Sequence, residues 1–157
     1  MEKTKNETPP AVVIRRTIHA KRDKVFAAWT DPQKMQEWFF PGSWSAKTTN
    51  DLRIGGSYRH EMFPDAKSAD VRSCGKGADD ECALHTGEYL EISPPEKVVF
   101  TWNSESVKNT RVTVELRDCG DSTDLILTHE LLETEKAREQ HTAGWGECLA
   151  NLVNYLK

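Results

Sequence analysis

From Trp44 to Glu130 the apolar residues recur at every second position in segments broken by turn residues. Strands with this alternation bury one face and leave the other to solvent, which is the pattern of an antiparallel meander. In "TRVTVELRD" Val112, Val114 and Leu116 alternate with Thr113, Glu115 and Arg117. By the same parity Tyr58, His60 and Met62 share one face, as do Val98, Phe100 and Trp102, and Leu125, Leu127 and His129.

The period changes on either side of this run. Val12 to Ile18 reads as a first strand, and "AKRDKVFAAWTDPQKMQEWF" then places Val25, Phe26, Trp29, Met35, Trp38 and Phe39 at helical spacings. Asp31-Pro32 divides that stretch into two short helices. Glu133 to Leu156 reads as a long final helix whose apolar stripe runs through Ala137, His141, Trp145, Cys148, Leu149, Leu152 and Leu156. Its interior carries Gly144 and Gly146 on either side of Trp145, each costing about 0.8 to 1 kcal/mol relative to alanine. Close backbone approach or free volume beside Trp145 would account for them.

The 157 residues suit one domain, expected over 11–157 behind a disordered tail at 1–10. A formal charge of -4 with no basic stripe argues against a nucleic-acid partner. No apolar run approaches a membrane span and the start has no apolar leader core, so a cytoplasmic protein is expected. In that compartment its four cysteines are expected to be reduced. Pro64 to Ala83 is polar and glycine-containing and reads as an exposed loop. Within and beside it, Cys74, Cys82 and His85 form a weak metal candidate, with a loose spacing and no fourth ligand. No dinucleotide fingerprint, phosphate loop, nucleophile elbow or zinc-protease helix is present, and no cofactor is expected.

Several segments in fixed order, "VFAAWTDPQKMQEWF", "DLRIGGSYRHEM", "GEYLEISPPEKVVFTW", "VTVEL" and the closing helix with its Gly144-Trp145, resemble the homologues of the heat-shock-protein ATPase activator. These belong to the START-like (SRPBCC, Bet v 1-like) superfamily. The resemblance covers the chain from about Val12 to Leu156. It implies an α+β helix-grip fold, in which a curved antiparallel sheet of six to seven strands wraps a long C-terminal helix and two short helices follow the first strand. It also implies a cavity between sheet and helix that holds a small apolar or amphipathic molecule.

Parity and the resemblance together give the expected cavity residues: Trp38, Phe39, Tyr58, His60, Met62, Trp102, Val112, Val114, His129, His141, Trp145 and Cys148. Trp102 and Trp145 would be walls and His129 a polar anchor. The same residues also read as an ordinary aromatic core with structural histidines. A ligand-binding module is the favoured function. An interaction with a chaperone partner, and a cyclase- or hydrolase-like enzyme using the cavity histidines, are the alternatives. A monomer or a homodimer fits the chain equally.

Overall fold

The computed structural model describes residues 9–64 and 82–157. Seven strands form one antiparallel sheet: β1 (Val12–Ile18), β2 (Ser45–Asn50), β3 (Ser57–Phe63), β4 (Ala83–Ser93), β5 (Lys97–Trp102), β6 (Thr110–Cys119) and β7 (Ser122–Glu130). Their spatial order is β1-β7-β6-β5-β4-β3-β2, so strands two to seven make a simple meander and the first strand closes onto the last. The helices are α1 (Arg22–Thr30), α2 (Pro32–Met35) and α3 (Glu135–Tyr155). This is the expected α+β helix-grip architecture, a curved half-barrel sheet with a long C-terminal helix and two early short helices.

Local chemistry sets the boundaries. Asp31 leaves the helical region ahead of Pro32, which ends α1, and its Oδ1 accepts from the Gln33 N–H at 3.0 Å to cap α2. Thr134 rather than Glu133 opens the last helix, its Oγ1 accepting from the Ala137 N–H at 3.1 Å. Between β2 and β3 Gly55 takes φ +85°, and a Cβ on Gly56 would lie 2.0 Å from the Asp51 carbonyl oxygen. The bare backbone of this pair is what lets the turn close.

The register pairs Val112 with His129 and Val114 with Leu127, which places the inward sets of β6 and β7 side by side. Over them pack Val25, Phe26 and Trp29 of α1, then Trp38 and Phe39, and finally Trp145, Leu149 and Leu152 of α3. Full burial of a leucine such as Leu149 or Leu152 stabilises the fold by about 1.5–3 kcal/mol. Trp38 and Trp29 meet edge to face at 4.8 Å, and the Trp38 indole N–H donates to the Ala28 carbonyl at 2.9 Å. The helical pair is thereby locked to the aromatic floor beneath α3.

Among the described residues no helix is long and apolar enough to cross a membrane. Most of the expected N-terminal tail and of the Pro64–Ala83 loop, Cys74 included, lies outside those residues. The expectation of reduced thiols fails at Cys82, which is disulfide-bonded, while Cys119 and Cys148 are free. Compartment reasoning of that kind cannot register which sulfurs a fold brings within bonding distance.

Candidate functional site: an aromatic cleft under the last helix

A cleft of about 250 Å³ opens between α3 and the β3, β4 and β5 part of the sheet. Six of the twelve expected cavity residues line it: Phe39, Met62, Trp102, His141, Trp145 and Cys148. The other six, Trp38, Tyr58, His60, Val112, Val114 and His129, are buried in the core around it and do not line it. Strand parity tells inward from outward but not how deep an inward residue sits, which is why both kinds came out together.

The cleft also uses Gly144, where the sequence suggested free volume beside Trp145, and His85, which the sequence offered only as a weak metal candidate, together with residues that sequence reasoning passed over: Pro41, Trp44, Ala83, Ser104, Ser106 and Gln140. His85 was accessible to parity, since it lies four positions before the buried Tyr89 on β4 and pairs with His60 in register. Ser104 and Ser106 follow β5 outside any regular element, where no periodicity reports on facing.

The floor is an aromatic cluster. Trp102 and Trp145 lie 5.0 Å apart between ring centroids, Phe39 packs edge to face on Trp145 at 5.7 Å, and His85 stacks on Trp102 at 4.5 Å with an interplanar angle of 29°. Gly144 borders the cleft, and a Cβ built on it or on Gly146 would meet nothing within 4 Å. The two glycines therefore do not serve close backbone contact; at Gly144 the missing side chain leaves the cleft open. Close approach is met elsewhere, at Gly87, where a Cβ would fall 2.0 Å from the Thr101 carbonyl and 2.6 Å from the Tyr58 ring.

Beneath the floor runs an ordered chain of hydrogen bonds. Trp145 Nε1–H donates to His129 Nδ1 at 3.0 Å, so His129 carries its proton on Nε2 and donates it to Thr110 Oγ1 at 2.8 Å. Thr110 in turn donates to the Trp102 carbonyl at 2.7 Å. Both ring nitrogens of His129 are engaged within the protein, and its side chain is fully buried. Burial, with smaller contributions from His141 and His85, pushes its pKa down to about 3.

The other histidines differ in setting. His60 is buried, bonds Thr48 Oγ1 through Nδ1 at 3.0 Å and stacks on Phe39 at 4.3 Å, and burial followed by His85 pushes it down to about 3. His85 is pushed down to about 4 by burial and then by His141. His141, half-buried at the cleft, donates from Nδ1 to the Ala137 carbonyl at 2.7 Å. The Cys148 thiol is raised well above its ordinary value, chiefly by burial, and stays protonated. Of the weak metal candidate Cys74, Cys82 and His85, Cys74 lies outside the described residues, Cys82 is disulfide-bonded and His85 is stacked on Trp102.

A family model, Activator of Hsp90 ATPase homolog 1-like protein, matches residues 19–157. The chain belongs to this family. Solved structures agree on the fold. A protein of Chromobacterium violaceum superposes with TM-score 0.77 at 23% identity, covering 94% of this chain and 98% of that one. The AHSA1 protein of Silicibacter pomeroyi gives 0.73 at 21% identity over 94% and 97%. CalU16 of Micromonospora echinospora gives 0.68 at 24% identity over 94% and 76%. No curated protein matches the chain.

Proposed function

We propose that this protein is a cytoplasmic binding module that holds a small apolar or amphipathic molecule in the cleft between sheet and α3. The observation that carries the reading is a concave, aromatic-walled space bordered by Gly144, a residue whose helical cost stands unrepaid by any packing contact. A helix evolved only to fill a core would place a side chain there. Small-molecule sites are concave, mostly apolar and equipped with a few polar groups. Phe39, Met62, Trp102 and Trp145 supply the apolar wall, and His85 and His141 supply polar groups.

Native mass spectrometry of freshly purified protein, set against the denatured mass of the same sample, tests the reading. A reproducible extra mass of a few hundred daltons that is lost on denaturation is the expected result. Identical masses, together with tryptophan emission that does not respond to added naphthalene derivatives, would overturn it.

A further inference from the structure

Asn151 sits on α3 three residues beyond Cys148, one turn past the cleft and on the same flank of the helix. It does not line the cleft. Its Nδ2 donates one hydrogen to the Phe40 carbonyl and the other to the Gly42 carbonyl, each at 2.8 Å. Both acceptors lie on the segment that links α2 to β2, and Pro41 and Trp44 of the same segment form part of the cleft wall. One amide thus fastens the wall to the helix from outside the space it encloses.

Few other bonds hold this wall. Among the described residues, the Phe40 N–H donates to the Trp38 carbonyl at 2.8 Å and the Trp44 N–H to the Pro41 carbonyl at 3.1 Å, both within the linking segment. Beyond these, the Phe40 backbone meets the Cys148 thiol. Gly42 and Ser43 are exposed, and Trp44 is only half-buried against the core. A surface segment with few buried contacts and solvent-reachable hydrogen bonds opens locally at a fraction of the free energy of global unfolding.

Building on the binding-module reading, we propose that Asn151 is a positioning residue that gates the cleft: its amide holds 40–44 closed as a wall, and a bound molecule enters or leaves when both bonds break. Because Asn151 touches the wall and not the occupant, its bonds are the same in the empty and the filled protein. Losing them speeds entry and exit alike. Affinity stays nearly unchanged, since a clamp that favours neither state shifts no binding equilibrium.

Stopped-flow tryptophan emission of the whole chain, with 2-methylnaphthalene as the probe, tests the proposal. Asn151→Leu removes both donors but keeps a branched side chain, and Asn151→Asp keeps the shape while turning carboxylate oxygen toward the two carbonyls. Asn151 is half-buried, so both variants should fold. In each, association and dissociation rates should both rise about tenfold, the scale of one to two lost hydrogen bonds, with the dissociation constant within about twofold of the parent protein's. Amide hydrogen exchange across 40–44 should rise as well, while β6 and β7 keep their protection. Unchanged rates, a dissociation rate that rises alone, or unchanged exchange across 40–44 would overturn the gate and leave the binding module standing. A parent protein that takes up no probe overturns the gate, and a bare native mass would then remove the binding module as well.

Discussion

Trp145 Nε1 donates to His129 Nδ1 at 3.0 Å inside the core, so one buried bond fastens a wall of the cleft on α3 to the last strand of the sheet. Because His129 passes its own proton to Thr110, removing the indole N–H leaves an acceptor stranded in the core rather than exchanging it for water. Trp145→Phe should therefore destabilise the protein by about 1–3 kcal/mol from the unpaired nitrogen, with a further loss from the smaller ring. Urea denaturation of the variant beside the parent protein gives the number. Unchanged stability would show that the bond contributes nothing.

Acid should unfold this protein earlier than its carboxylates alone require. His60 and His129 are pushed down to about 3 and His85 to about 4, all below the ordinary 6.5. Above 6.5 these rings are neutral in both folded and unfolded chains and contribute no pH dependence. As pH falls below 6.5 the unfolded chain binds protons that the folded one refuses, so stability falls, and continues to fall until the folded values are reached. Each histidine adds a slope of about 1.4 kcal/mol per pH unit within that window. Urea midpoints measured from neutrality down toward pH 4 should drop steadily, and a flat profile over that range would contradict the burial of these rings as neutral groups.

Gly146→Ala should stabilise the protein, because the added methyl meets no atom and the helix gains about 0.8–1 kcal/mol of propensity. Gly144→Ala should gain a similar amount. Gly144→Leu should instead occupy the cleft, keeping the protein folded while uptake of added naphthalene derivatives, read by tryptophan emission, is lost. Retained uptake would place the bound molecule somewhere other than beside α3.

Gly87→Ala should behave in the opposite sense. Its Cβ would lie 2.0 Å from a backbone oxygen of β5, and neither strand can retreat without breaking the pairing around Tyr89 and Phe100. A loss of about 3 kcal/mol is expected, at the upper end for an overpacked site. Thermal melting would register it directly. A melting point equal to that of the parent protein would mean that the two strands separate more readily than their pairing suggests.

The alternation through β3, β5, β6 and β7 was legible because each strand keeps one face in the core and repeats that fact at every second residue. The same logic gave the early helical pair and the long last helix, since Asp31-Pro32 and the stripe through Trp145 are local signals. It faltered at Glu61, which is buried although its parity points outward, and at Ser104 and Ser106, which have no period at all. The pairing of His85 with His60 follows from strand register, yet the stacking of His85 on Trp102 depends on how the strands curve.

By itself the sequence determined the order of elements and the inward faces of β3, β5, β6 and β7, and its family resemblance implied the helix-grip architecture and an aromatic space beneath α3. Whether an inward residue meets a neighbour or a void was decided only by the tertiary structure. Phe39, Met62, Trp102 and Trp145 border the cleft while Tyr58, Val112 and Val114 are sealed in the core, although all carry the same pattern in the chain. The same holds for the histidines: His129 is consumed by Trp145 and Thr110, whereas His141 turns one nitrogen to its own helix backbone and keeps the other. Periodicity is a property of the local backbone, set by its dihedral repeat. Depth and hydrogen-bond partnership depend on where elements far apart in sequence come to rest, and a single chain read residue by residue carries no record of those distances.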